Sequence, residues 1–163
     1  KSFGKQTKHG ETPENRFRLM WMDAVYEPGE IKVVAYNKDG KAVAEKIVRT
    51  AGKPHHIELV SNRNELTADG KDLAYITVKV VDKDGNLCPA DSRQINFSVK
   101  GAGKYRAAAN GDPTNLEQFH LPKMHTFNGM LTAIVQSGET AGEIVLTAKA
   151  SGVKVGNIRI QTK

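Results

Sequence analysis

The sequence predicts an all-β fold in which two sheets pack as a sandwich, and three observations carry that prediction. Ala74, Ile76, Val78 and Val80 alternate with Tyr75, Thr77, Lys79 and Val81, the period of two expected of a strand with one face on a core. Ile95, Phe97 and Val99 repeat the alternation against Asn96, Ser98 and Lys100. No segment shows a helical period. Asp84-Gly85 breaks the chain between the two runs, because glycine tolerates the positive φ of a tight reversal, so a hairpin turn is expected there. Two half-buried strands leave an apolar face that a second sheet must cover.

Taken in order, residues 5–15 are polar, contain Gly10 and Pro13, and read as a loop. Arg16–Trp21 follows as a short strand, with Phe17, Leu19 and Trp21 on one face; Trp21, the sole tryptophan, is expected in a core. Glu27-Pro28-Gly29-Glu30 is a turn, since proline presets φ and glycine accepts a positive one. Ile31–Tyr36 and Ala42–Val48 form a hairpin about Lys38-Asp39-Gly40. These strands are too few to close a sandwich, so residues 1–52 are expected to be a partial β-sandwich segment, the end of a preceding domain.

The small, polar stretch Arg49-Thr50-Ala51-Gly52-Lys53-Pro54 is the best boundary. Beyond it the predicted strands are His56–Val60, the two alternating runs, Lys104–Ala108, Met130–Gln136, Glu143–Lys149 and Lys154–Gln161. Gly138 and Gly152 lie in the turns, and residues 110–126 form a long irregular loop. Seven or so evenly spaced strands suit an immunoglobulin-like β-sandwich, which takes about 100 residues. Residues 53–163 are therefore read as one complete domain of that kind. Val33–Gly40 (VVAYNKDG) and Val78–Gly85 (VKVVDKDG) share a pattern. It suits either two related modules or any two hairpins with an Asx-Lys-Asp-Gly turn.

Composition excludes several classes. The 163 residues carry a net charge of +6, but acidic and basic residues are interspersed and no basic cluster marks a nucleic-acid face. Cys88 is the only cysteine, so no intrachain disulfide can form. No apolar run is long enough for a membrane-spanning helix. Lys1-Ser2-Phe3-Gly4-Lys5 reads as the end of a hairpin, and the chain is expected to be part of a longer protein.

The richest candidate site is the loop Asn110-Gly111-Asp112-Pro113-Thr114-Asn115-Leu116-Glu117-Gln118-Phe119, with Phe127-Asn128-Gly129 after it. Loops this long inside a compact domain are uncommon and often functional. Asn110, Asp112, Thr114, Glu117 and Asn128 offer the hydrogen-bonding groups that sugar hydroxyls use. The alternative is a self-packed loop in which Asp112 caps a turn, Pro113 stiffens it, and Phe119 and Phe127 plug the end of the sandwich.

Other motifs resolve to structure. Asp82-Lys83-Asp84-Gly85-Asn86 cannot be a calcium loop of the EF-hand kind, because its glycine falls at position 4 rather than 6. His55 and His56 are expected on opposite faces of a strand. His120 and His125 have no carboxylate or thiolate at recognisable ligand spacing, so no metal and no cofactor are expected.

The quoted motifs also carry a resemblance. Leu66-Thr67-Ala68-Asp69-Gly70-Lys71-Asp72, Val78–Asn86 and Ile95–Val99 resemble bacterial immunoglobulin-like domains, both of invasin-type adhesins and of family 2 glycoside hydrolases. Asn15–Lys41, Val48–Pro54 and the N-G-D-P-T, E-x-F and F-N-G motifs are similar to the C-terminal domains of family 2 β-galactosidases, notably of Bacteroides-like bacteria. The resemblance covers nearly the whole chain. It implies a non-catalytic accessory region, because the catalytic glutamates of that family lie on a (β/α) barrel. Asn64-Glu65 echoes the family's acid/base dipeptide but lies in a polar connection, and the role is not carried over. The implied partners are the catalytic barrel and, second, carbohydrate; the candidate loop residues would contact one of them. A periplasmic, surface or secreted parent is implied as well. Two alternatives stand beside this reading. An adhesin stalk is opposed by the Y-E-P-G and N-G-D-P-T segments, and an independent carbohydrate-binding module by the scarcity of aromatics.

Overall fold

The computed structural model describes residues 19–163. The expected features at Lys1–Lys5, at residues 5–15 and over Arg16–Arg18 lie outside the described residues. Among the described residues there are eleven strands and no helix. The chain divides into two compact units, Lys1–Arg49 and Thr50–Lys163.

In the first unit, β1 (Glu30–Tyr36) and β2 (Ala42–Arg49) pair as an antiparallel hairpin. Asn37 makes the turn: its Oδ1 accepts hydrogen bonds from the Asp39 and Lys41 N–H groups at 3.0 and 2.9 Å. Gly40 takes a φ of 78° there. Leu19, Met20 and Trp21 are not in a strand, contrary to the alternation read there. Trp21 is half-buried rather than in a core.

The second unit is a sandwich. One sheet has the order β4-β11-β10-β6-β8, from Glu65–Leu66, Gly156–Thr162, Gly142–Lys149, Gln94–Gly101 and Lys123–His125. The other has the order β3-β5-β9-β7, from His56–Ser61, Leu73–Val81, Met130–Ser137 and Gly103–Ala109. Alternate residues of both meet between the sheets. Ile76, Val78, Val80, Ala133 and Val135 face Ile95, Ile144, Leu146 and Ala148, all fully buried. Burying each of the valine, isoleucine and leucine side chains contributes about 1.5–3 kcal/mol, the main term holding the sheets together.

Two strands are absent from the sequence reading. β4 has two residues and runs parallel to β11; β8 has three and pairs with β6 inside the segment expected to be an irregular loop. Neither is long enough to show an alternation, yet Leu66 and Met124 are both buried in the core.

The hairpin expected between β5 and β6 is a correction. The chain does reverse at Asp82–Asn86, and Val81 bridges Leu87. It then crosses over: β5 pairs with β3 and β9, whereas β6 pairs with β10 and β8. The two alternating runs face each other across the core instead of lying side by side. Both arrangements bury the same residues, so the pattern alone does not separate them.

Buried Asp82 anchors this corner. It accepts hydrogen bonds from the N–H groups of Gly52, Asn86 and Asp84 at 2.7, 2.8 and 2.9 Å. Those donors, Gly52 foremost, hold its carboxyl far below the usual carboxylate range. The L-T-A-D-G-K-D stretch is a second built corner. Asp69 accepts from the N–H groups of Lys71 and Asp72 at 2.8 Å, and Asp72 from that of Thr67 at 2.8 Å.

Candidate functional site

The connection from β7 to β9 carries the candidate residues, and its polar side chains are tied to one another. Asn110 lies just after β7. Its Nδ2 donates to the His125 carbonyl at 3.0 Å, and its Oδ1 accepts from the Asp112 N–H at 3.1 Å and from Asn115 Nδ2 at 3.3 Å. Asp112 Oδ1 accepts from the N–H and the hydroxyl of Thr114 at 2.8 and 2.7 Å. Asparagine and aspartate favour such local turns because their side chains mimic a backbone carbonyl. The two Thr114 donors, the N–H first, lower the carboxyl pKa of Asp112.

Glu117 continues the chain of bonds. Its N–H donates to Asn115 Oδ1 at 2.9 Å, and its carboxylate takes the N–H and the Nδ1 of His125, each at 3.0 Å. Partial burial raises the Glu117 pKa, but the His125 donors outweigh it and the net shift is downward. An ionised carboxylate only accepts, so this contact places a proton on Nδ1 of His125. The carboxylate missing from the spacing argument thus lies eight residues before the histidine, brought there by the loop. His55 and His56 also depart from expectation. Their Nδ1 atoms are 3.0 Å apart, because His55 precedes β3 and is not bound by strand alternation. Among the described residues no group of three histidine, cysteine or acidic side chains could hold a metal ion.

Asn110, Asp112, Thr114 and Glu117 therefore belong to one network, which includes Asn115 and His125, two residues not among the candidates. Asn128 lies outside it, in the turn that leads into β9. Phe127 and Met130 exchange backbone hydrogen bonds of 2.9 and 3.0 Å around Asn128 and Gly129, whose φ values are 51° and 73°. That is the hairpin turn for which Asn-Gly is the preferred pair. A side chain at Gly129 would also place its Cβ 2.3 Å from the Cys88 carbonyl oxygen.

The aromatic residues do not plug the sandwich. Phe119 is 54% and Phe127 39% exposed. Tyr105 fills the space by the loop instead, stacked on Phe97 at 5.7 Å with its hydroxyl donating to the Leu121 carbonyl at 2.7 Å. Burial pushes its pKa up to about 12. Leu116 is 96% exposed at the loop tip. Beside the loop, Thr77, Ala109, Asn110, Gly111, Met130 and Thr132 line a shallow cavity of about 370 Å³. The arrangement ties Asn110, Asp112, Thr114, Asn115 and Glu117 to one another and to His125, with Leu116 and Phe119 exposed beside them.

Comparison with known proteins identifies the family. The family model for glycoside hydrolase family 2 C-terminal domain 5 matches residues 57–159. A model described as a domain of unknown function matches residues 1–44. The chain is 41% identical over 138 residues to the β-galactosidase BoGH2A of Bacteroides ovatus, covering 85% of this chain and 16% of that protein. It is 35% identical over 126 residues to a β-galactosidase of Thermoanaerobacter pseudethanolicus, covering 77% of this chain and 15% of that one. Among solved structures, a glycosyl hydrolase family 2 member from Bacteroides cellulosilyticus superposes with a TM-score of 0.86 at 34% identity. That match covers 99% of this chain and 20% of the other. The chain thus spans about a sixth of the length of the curated relatives it matches.

Proposed function

The chain belongs to the C-terminal region of the family 2 glycoside hydrolases, and from that membership we propose a non-catalytic accessory region that braces its parent enzyme's catalytic barrel and borders the substrate cleft. The parent reads as a glycoside hydrolase of the β-galactosidase kind, at the cell surface or in the periplasm. Residues 1–52 read as the end of a preceding immunoglobulin-like sandwich, and residues 53–163 as a complete one. Family membership leaves the adhesin alternative without support.

One observation carries the contact role: Asn110, Asp112, Thr114, Asn115 and Glu117 spend their side-chain hydrogen bonds within the loop and on His125, while Leu116 and Phe119 stay outside. A sugar-binding loop needs free donors and acceptors, whereas a loop that seats against protein needs a fixed shape and exposed apolar groups. Carbohydrate is accordingly the weaker partner. The test is Leu116→Asp, made both in this chain and in the full-length parent. The expected result is an unchanged melting curve for the chain, with lower stability or lower turnover of a nitrophenyl galactoside for the parent. Unchanged parental stability and turnover would show that the loop touches nothing of consequence.

A further inference from the structure

A sheet that ends in an open strand exposes a row of backbone N–H and C=O groups, and these invite a further strand to add. The two sheets of the second unit end, on the same side of the sandwich, in β7 and β8. The segment from Asn110 to Pro122 joins those two edge strands. Its inward bonds go to backbone groups on the outer side of each edge.

On β8 the ladder shows which groups are left over. The Phe97 N–H donates to the Pro122 carbonyl at 2.8 Å, and the Thr126 N–H to the Arg93 carbonyl at 3.0 Å. Backbone direction alternates along an antiparallel strand, so Met124 bonds toward β6 while the N–H and C=O of His125 face away from it. Side chains of the loop take both. The His125 N–H donates to Glu117 Oε2 and its carbonyl accepts from Asn110 Nδ2, each at 3.0 Å. On β7 the Ala108 N–H donates to the Phe119 carbonyl at 2.8 Å. The Tyr105 hydroxyl fastens the same segment through the Leu121 carbonyl at 2.7 Å. Other features blunt what remains of the two edges. β8 has three residues and follows Pro122, and the β7 register shifts between Tyr105 and Ala107.

We propose that Asn110 and Glu117 are edge blocks: they occupy the free side of β8 so that a strand of a second copy of this chain cannot add there. Strand addition is driven by main-chain hydrogen bonds, which every copy of the chain can offer. The two side chains match the groups they cover. A carboxylate accepts without donating, as the His125 N–H requires, and an amide NH2 supplies the donor that the carbonyl requires. The role is independent of what the loop tip contacts, since Leu116 is 96% exposed while these bonds run inward.

The experiment opens the edge and then closes it by another route. Combining Asn110→Ala with Glu117→Ala in the 163-residue chain frees both His125 groups. The double variant should keep its strand content by circular dichroism. In sedimentation it should self-associate on the order of ten-fold more tightly than the unaltered chain, the scale that two recovered backbone bonds give. Adding His125→Pro removes the freed N–H without touching the β6 ladder, and should return association to its starting level. Val78→Ala is the comparison, because it weakens the buried core and leaves the edge shut. If V78A associates as strongly as the double variant, lost stability and not the edge is responsible, and the proposal fails. It fails also if His125→Pro changes nothing, or if the folded double variant associates no more than the unaltered chain. Should the double variant not fold, single changes decide. E117Q keeps an acceptor for the His125 N–H and should behave as the unaltered chain, whereas E117A should associate more. Equal behaviour of the two would overturn the proposal.

Discussion

The turns at Asn37–Lys41 and Asp82–Asn86 can be laid over each other bond for bond. In each, an Asx Oδ1 accepts the N–H groups two and four residues on: 3.0 and 2.9 Å for Asn37, 2.9 and 2.8 Å for Asp82. In each, the Asx N–H reaches the carbonyl four residues on at 2.9 Å, and the glycine takes a positive φ, 78° or 82°. Beyond the turn the two segments diverge. β1 returns along β2 as a hairpin, with Val33 47% and Val43 61% exposed. After Asp82 the chain leaves for the opposite sheet, and Val78 and Val80 are fully buried. A turn is a local matter, settled by an Asx side chain and a glycine. Strand partners and burial are settled by what else lies within reach.

The sharpest test of that contrast is a matched truncation, since Val33 and Val78 occupy the same position of the shared pattern. Val78→Ala should cost about 2–3 kcal/mol, because a fully buried side chain loses its transfer energy and leaves a cavity. Val33→Ala should stay within about 0.5 kcal/mol, as for other exposed positions. Urea unfolding of each variant checks both values. Similar losses would mean that the hairpin is covered as thoroughly as the sandwich core.

The same contrast explains how far the residues alone could be read. Long strands were legible, because β5 and β9 have room for several alternations. The Asn128-Gly129 turn was not read from the residues, although Asn-Gly has one favoured turn; Asn128 stood among the contact groups instead. β4 and β8 were not legible: two or three residues hold no period, and both exist because a neighbouring strand offers them a ladder. The side-chain network of the loop was half legible. Its polar residues stood out, but the Glu117–His125 contact depends on how β8 folds back toward the loop. The His55–His56 contact was hidden because the strand begins one residue later than the alternation rule needs.

A second prediction concerns what Asp82 has and Asn37 lacks, the long-range bond from Gly52 at 2.7 Å. Asp82→Asn weakens that charge-assisted acceptor, so the variant should be less stable at pH 7. The folded-state pKa of Asp82 is depressed, so its contribution is complete above the unfolded value of about 3.9 and fades as pH falls toward the folded one. The gap between wild type and variant should therefore narrow steadily below about pH 4. Asn37→Asp keeps its two turn donors and has no partner like Gly52, but it exchanges the Nδ2 bond to the exposed Asp39 carboxylate for like-charge repulsion. It should therefore cost a little at pH 7 and recover as the carboxyls protonate, without the large gap of Asp82→Asn. Melting curves from pH 7 down to 3 decide the matter. A gap that stays constant with pH would mean the carboxylate's charge contributes nothing.

The smallest expected effect asks whether the two units differ in their surfaces as they do in their interiors. Each carries a cross-strand arginine–glutamate pair, Arg49 with Glu30 on the hairpin and Arg159 with Glu143 on the sandwich. All four side chains keep a third or more of their surface in water, so solvent and salt screen the attraction. Exposed pairs of this type are worth about 0–1 kcal/mol, because Coulomb attraction in high dielectric barely exceeds the entropy of fixing two long side chains. Arg49→Ala and Arg159→Ala should thus cost similar, small amounts that shrink further at high salt, although the residues behind them are exposed in one case and buried in the other. Denaturant midpoints at low and at high sodium chloride measure this directly. A loss for Arg159→Ala well above 1 kcal/mol that persists in high salt would show that the pair is braced by the packed strands beneath it, and that the difference between the units reaches their surfaces.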